Sequence, residues 1–392
     1  MSDLLTDNVI FRNVYAFVVS GLGAEWAWLA WLTAGFVLVM LVVNAVMALA
    51  TGYTWAERRL LGRLTNRLGP NRAGPSGTLQ PLADAIKLLT KEDIVPAAGD
   101  RLIFNVAPVL MLASVLLAAA VIPFGAGAFV TDLNVGILYL AAVSSLASIA
   151  VLMAGFSSAN KFSTFGSMRA VAVLVSYEIP LVMALLGITV LAGTMSLVGV
   201  VEGQHAPYLL VAPLGAFVFV TAISAELNRT PFDVTEGESE IVAGYLTEYS
   251  GMKFGVFYLA EFAALVVAGG VFAALFLQGW RWDVLPSYLW FIIKVGGFAI
   301  AATWIRATLP RLRPDQILAF AWKFLFPVSM VNVAALSVQR LWLGGADGAL
   351  TSSDLWLMAA INWPLALVAV AVMGRIARVR ERPVRIAAAG AR

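Results

Sequence analysis

The chain has 392 residues, 61% of them hydrophobic and only 12% charged, with a mean hydropathy of +0.87 and a formal net charge of +3. Soluble globular chains carry about 25% charged residues, so a water-soluble domain is excluded. The repeated apolar stretches match the roughly 20 residues that cross a bilayer core, and they predict an all-α polytopic membrane protein, a single transmembrane domain over residues 1–392. There is no cysteine and one histidine, His205. Zinc, haem and iron–sulfur sites need more such ligands than this, so an electron carrier is expected to diffuse or to sit in a partner.

The start, Met1-Ser2-Asp3, lacks the basic segment of a cleaved signal peptide, and no removal is expected. About nine spans are predicted, near 26–49, 103–123, 135–155, 170–192, 208–225, 254–277, 287–305, 317–341 and 355–374. No internal repeat is visible, which argues against inverted-repeat transporters. Placing the 50–102 loop in the cytoplasm puts all but five of the 26 Lys and Arg residues on that side or in the basic tail at 375–392. Arg12, Arg281 and Arg340 then lie outside, and Lys294 and Lys323 fall within spans. This asymmetry predicts an outside N-terminus and a cytoplasmic C-terminus. It also accounts for the pI of about 9.2 without a nucleic-acid partner.

In the 50–102 loop, Trp55-Ala56-Glu57-Arg58-Arg59-Leu60-Leu61-Gly62 carries the first helix out of the membrane, and Arg67 to Pro75 breaks it with turn residues. Residues 78–91 then show helical periodicity: Leu79, Leu82, Ala83, Ile86 and Leu89 share one face, and Gln80, Asp84, Lys87 and Lys91 form a polar stripe. Such a helix is predicted to lie in the interface plane. It reads equally as an ordinary surface helix until Glu57 and Arg58, at the membrane edge, are considered with it. A quinone needs hydrogen-bond partners for its carbonyls and an apolar channel for its isoprenoid tail, and a polar stripe over apolar helices offers both.

The 225–253 loop concentrates acid: Glu226, Asp233, Glu236, Glu238 and Glu240, relieved by Arg229, with Glu248 following and Glu261 in the next span. As a helix, Glu236 and Glu240 share a face with Glu238 opposite. Glu178 lies inside the fourth span beside Pro180, which is expected to perturb that helix. Carboxylates at membrane depth are costly unless paired, hydrated or neutral, and such groups suit a proton-conducting chain. The alternatives are a solvated acidic loop for 236–240, and ion pairing of Glu178 and Glu261 with Lys294 or Lys323. A third basic loop, Arg306 to Gln316, places Arg306 and Arg311 either on a quinone or against acids such as Asp233 and Glu236.

These segments resemble one family, the NADH:quinone oxidoreductase membrane component designated H in bacteria and 1 in mitochondria. The resemblance rests on Glu57-Arg58-Arg59 with Leu68-Gly69-Pro70-Asn71, on Gln80 to Leu88, on Ala225 to Glu240 and on Arg306 to Gln316. Asn160-Lys161-Phe162, Ser176-Tyr177-Glu178 and Trp322-Lys323 extend it, so that it covers roughly residues 50–330. It implies a subunit of a proton-translocating complex I in the bacterial plasma membrane, lining the access path of a quinone, ubiquinone or menaquinone. It assigns Trp55, Glu57, Arg58, Asp84, Lys87, Arg229, Phe232, Asp233, Arg306 and Arg311 to the quinone cavity. Glu178, Glu226, Glu236, Glu238, Glu240, Glu248 and Glu261 become a proton path. FMN and iron–sulfur clusters are then expected in partners: soluble quinone-module subunits on the cytoplasmic face, with small membrane subunits, antiporter-like subunits and lipid around the chain. No catalytic residue, metal ligand or redox cofactor is expected in the chain itself.

The competing readings are the membrane subunit of an energy-converting hydrogenase or another quinone-reducing complex, a stand-alone secondary transporter, and a structural anchor. The matched quinone-side loops disfavour the first, the missing repeat the second, and the number of acids at membrane depth the third.

Overall fold

The computed structural model describes residues 8–22, 24–233, 242–282, 284–344 and 350–380. Among these residues, eight helices are long and apolar enough to cross a membrane. In chain order the helices are α1 Val9–Leu22, α2 Ala27–Leu64, α3 Gln80–Thr90, α4 Arg101–Ala119, α5 Gly136–Ser157, α6 Lys161–Ala192, α7 Leu197–Gly203, α8 Tyr208–Val211, α9 Pro213–Glu226, α10 Gly251–Phe276, α11 Ser287–Thr308, α12 Pro314–Leu343 and α13 Ser352–Arg380. Two expectations need correction. The span expected at 208–225 is two helices, because Ala212 leaves helical geometry (φ −125°, ψ 64°) and Pro213 has no N–H to continue the ladder. The helix α1, only 14 residues long, was not expected at all.

α10 is the centre of the bundle: 78% of its most apolar stretch is buried, against 22% for α2 and α11. Around it pack α2, α4 and α11, while α6 binds α5, α9 and α12 together. Between helices in lipid there is little hydrophobic drive, so close packing through small residues carries the association. Gly166 of α6 illustrates the closeness: a Cβ there would stand 2.6 Å from the Cα of Gly244. On α2, the buried residues Ala30, Ala34, Leu38, Val42, Val46 and Ala50 recur every four positions. That row is one ridge of the helix, and Glu57 lies beyond its inner end, also buried.

Polar side chains finish the helices. Asp100 accepts from Leu102 N and Ile103 N to start α4, and Asn160 accepts from Phe162 N to start α6. α6 runs as one helix through Pro180, which has no N–H to give to Ser176 O. Cations cap the opposite helix ends, where the macrodipole is negative. Lys294 donates to Leu277 O (2.7 Å), Gly279 O (2.7 Å) and Arg281 O (3.3 Å) at the end of α10. Arg340 donates to Val190 O at the end of α6, and Arg281 to Glu202 O and Gln204 O after α7. Lys294 therefore serves backbone carbonyls and not the acids Glu178 or Glu261.

Candidate functional site

Residues expected on the quinone side gather where the end of α2, the segment after α9, the end of α11 and the loop before α12 meet, with α3 tied alongside. The centre is Glu57, 2% exposed. Its Oε1 accepts from Arg229 Nη1 at 2.6 Å and from Arg306 Nη1 at 2.5 Å. Glu261 Oε1 stands 3.5 Å from Arg229 Nε, and the Arg229 guanidinium lies 4.9 Å over the Phe262 ring. Burial pushes the Arg229 proton affinity down, but the carboxylates of Glu261 and Glu57 outweigh it and hold the guanidinium above its ordinary range. So three residues expected on the quinone side, Glu57, Arg229 and Arg306, share a single ionic cluster with one expected on the proton path, Glu261.

The short segment after α9 is pinned beside this cluster. It turns through a cis Thr230–Pro231 bond, and Arg311 Nη2 meets Asp233 Oδ2 at 2.8 Å while Leu312 N donates to Pro231 O. Phe232 is 5% exposed and packs its ring 5.1 Å from that of Tyr177, whose hydroxyl donates to Ile317 O. Arg306 and Arg311 each meet an acid here, Glu57 and Asp233 respectively. Arg229 Nη2 and Asp233 Oδ1 are buried without a hydrogen-bond partner.

α3 is tied to α2 by side chains. Arg58 Nη1 meets Asp84 Oδ2 at 2.6 Å, and Gln80 Nε2 donates to Asp84 Oδ1 at 3.2 Å, so the polar stripe is real. Trp55 Nε1 and Arg59 Nη1 both donate to Ser76 O, which ties the turn ahead of α3. Partial burial favours the neutral Asp84. The hydrogen bonds from Arg58 and Gln80 and the charges of Arg58 and Lys87 prevail, leaving the carboxyl below its usual range. The apolar face, Leu79, Leu82, Ile86 and Leu89, is more than half exposed, as an interfacial helix requires.

The acids divide. Glu226 ends α9 beside a cavity of about 110 Å³ that Ser114, Ser144 and Ala268 also line. Its Oε2 is buried without a partner, and it interacts electrostatically with Glu178. Glu248 lies apart, on a cleft with Pro96 and Lys161, where Asn160 Nδ2 donates to it at 2.6 Å. Glu236, Glu238 and Glu240 fall outside the described residues, as does the tail beyond Arg380.

A larger cavity, about 470 Å³, opens below Glu57 between α2, α10 and α11. Tyr53 and Thr303 share a 2.8 Å hydroxyl contact at its inner end. Sequence reasoning missed both residues. Tyr53 was findable, since it precedes Glu57 by four and so shares its face; Thr303 carried no comparable signal.

A multi-pass helical membrane protein with a buried Glu–Arg cluster at the mouth of an apolar cavity is the class that fold and site define. A family model described as NADH dehydrogenase matches residues 36–337. The H subunit of the NADH-quinone oxidoreductase of Dehalococcoides mccartyi (strain CBDB1) is 50% identical over 307 residues, covering 78% of this chain and 84% of that protein. The H subunits from Syntrophotalea carbinolica (46% over 314 residues, 78% and 95% covered) and Thermomicrobium roseum (42% over 332 residues, 80% and 96%) are similar too. The chain belongs to the family of membrane-embedded H subunits of NADH:quinone oxidoreductase, complex I of bacterial membranes.

Proposed function

We propose that this chain lines the quinone access path of complex I and couples quinone reduction to proton movement. The carrying observation is Glu57, buried between Arg229 and Arg306 at one end of a mostly apolar cavity. Polar groups placed at one end of an apolar cavity are what an amphiphile with a polar head and an apolar tail requires. Trp55, Arg58, Asp84 and Lys87 form the entrance where α3 meets α2, and Phe232, Asp233 and Arg311 its far wall. The basic face lies in the cytoplasm, with the N-terminus outside, and the α8–α9 pair makes the ninth crossing. Soluble partners dock on that face and supply two electrons from their iron–sulfur chain. Ubiquinone or menaquinone takes these with two protons to become the quinol.

Coupling follows from the shared cluster. Unit charges 4 Å apart interact by about 4 kcal/mol at an effective dielectric near 20, roughly three powers of ten in proton occupancy. A change of charge beside Glu57 therefore reaches Glu261 through Arg229. Glu178 and Glu226 carry it inward from there, with Glu248 and the 236–240 acids on the same path toward the antiporter-like subunits. The test is Glu57→Gln in the intact complex. Quinone reductase activity is expected to collapse while reduction of an artificial acceptor that bypasses the quinone persists. Equal survival of both activities would remove Glu57 from quinone handling.

A further inference from the structure

α3 has no fully buried residue, so its position depends on a few attachments. Pro81, Asp84, Ala85 and Leu88 are half-buried and share the face it turns to the bundle. Asp84 and Leu88, four apart on that face, reach two different helices. Asp84 meets Arg58 at the end of α2, through side chains 26% and 52% exposed. Leu88 meets the first turns of α10.

The second attachment is close and largely made by backbone. Gly251 opens α10 at φ +56°, in the left-handed region that favours glycine. A Cβ there would stand 3.2 Å from Lys91 O and 3.4 Å from Glu92 O. One turn on, a Cβ at Gly255 would stand 2.9 Å from Leu88 Cδ1 and 3.8 Å from Leu88 Cβ. Ser250 Oγ donates to Glu92 O at 3.2 Å and accepts from Ile94 N at 3.4 Å. Lys253 Nζ pairs with Asp93 Oδ2 at 2.8 Å and lies 5.2 Å over the Phe104 ring. Tyr249 stacks on that same ring of α4, centroids 4.0 Å apart. The two attachments therefore differ in kind. An exposed ion pair holds weakly and weakens further in salt, whereas glycine packed on backbone contains no charge to screen. α10 is also the most buried of the eight long apolar helices, which makes it the fixed partner.

We propose that Gly251 and Gly255 are positioning residues for quinone entry. They seat the end of α3 on α10 throughout turnover, and only the start of α3 yields, at the Arg58–Asp84 contact, to let quinone past. The inference rests on the quinone reading above and adds to it the fixed and the moving end of the entrance. It also gives the entrance a rigid link to the ionic cluster, because Glu261 lies on the same helix, about 15 Å beyond Gly251 at 1.5 Å per residue.

The test locks the seat and then wedges it, in the intact complex. The chain has no cysteine, and the 3.8 Å between the two Cβ positions suits a disulfide. Leu88→Cys with Gly255→Cys therefore closes on oxidation and opens on reduction, and each single variant under the same oxidant controls for cysteines in partners. Quinone kcat and KM are read beside the artificial-acceptor rate. The locked complex is expected to keep the kcat and KM of its reduced form. Gly255→Val, a wedge against Leu88, is expected to lower quinone kcat/KM about tenfold through KM, since misplacement by about 1 Å can cost about a hundredfold. Leu88→Ala added to Gly255→Val makes room and is expected to restore KM. Quinone reduction lost on locking and regained on reduction overturns the proposal, because the end of α3 would then have to leave α10. So does a wild-type KM in Gly255→Val, or a double variant that recovers neither KM nor, where the wedge alone prevents it, assembly. Glu57→Gln separates the two levels: if it abolishes quinone reduction while the wedge does nothing, only the seat falls. If it leaves quinone reduction intact, the quinone reading falls with it.

Discussion

Glu57 and Arg229 stand 172 residues apart in the chain and meet at 2.6 Å, with side chains 3% and 5% exposed. Removing one member of a buried ion pair typically costs about 3–5 kcal/mol, and loss of Arg229 leaves Arg306 as the one arginine of the cluster on Glu57. Arg229→Met is therefore expected to lose most assembled complex, read as the yield of intact complex on a native gel. Arg229→Lys restores the charge but not the planar stacking on Phe262, and is expected to assemble with lower thermal stability. Wild-type yield from Arg229→Met would mean that Arg306 alone neutralises Glu57.

The Arg58–Asp84 contact is equally short but lies at side-chain exposures of 52% and 26%. Exposed pairs are worth about 0–1 kcal/mol, so Asp84→Asn is expected to assemble normally. Its effect belongs to the proposed entrance: quinone reductase activity falls while artificial-acceptor activity stays. The pH dependence has a definite sign. A carboxyl held below its usual range contributes stability above that range, and the contribution is lost only as pH falls through the lowered value. From about pH 5 upward the α2–α3 tie is expected to be constant, and its contribution should instead weaken with salt. An activity step near neutral pH that vanished in Asp84→Asn would contradict this.

Glu226 presents a buried oxygen without a partner to a small cavity shared with Ser144. An amide of the same shape fits that space, so Glu226→Gln is expected to assemble and to keep its fold. If the acid relays protons, the variant reduces quinone slowly and acidifies poorly, measured as proton uptake per quinone reduced in vesicles. Proton uptake equal to wild type would take Glu226 out of the path and leave Glu178 and Glu261 to be tested alone.

Helix existence was legible because periodicity and apolar length report directly on lipid exposure. The α3 stripe was legible because Gln80, Asp84 and Lys87 are neighbours on one helix. What the sequence could not carry was pairing across the bundle. Glu261 was expected on the proton path, and that it also shares Arg229 with Glu57 could not be read from sequence; hydropathy says nothing of which helix faces which. Lys294 looked like a partner for acids, but the helix end beside it, with unmet carbonyls at Leu277 and Gly279, claims it instead. The break at Ala212 was hidden because the residues on either side are as apolar as a continuous span. The helix α1 was missed because its 14 residues fall short of the length that marks a crossing.

That break supplies the remaining prediction. At the α8–α9 break, the carbonyls of Leu210 and Val211 accept from side chains of α13: Trp363 Nε1 at 3.1 Å and Asn362 Nδ2 at 2.7 Å. Asn362 Oδ1 in turn accepts from Gln339 Nε2 at 2.6 Å. Unmet polar groups have no water to turn to at this depth, and α13 lies beyond residue 337, where the family match ends. Asn362→Leu keeps about the same size inside the bundle but strands the Val211 carbonyl and the Gln339 amide. The expected cost is about 1–3 kcal/mol, read as a lower unfolding temperature of the detergent-solubilised complex. A double variant, Asn362→Leu with Gln339→Leu, should recover part of it, because one of the two stranded groups is then gone. If the single variant melts like wild type, α13 is held by apolar packing alone, and the polar clasp at the helix break is incidental to it.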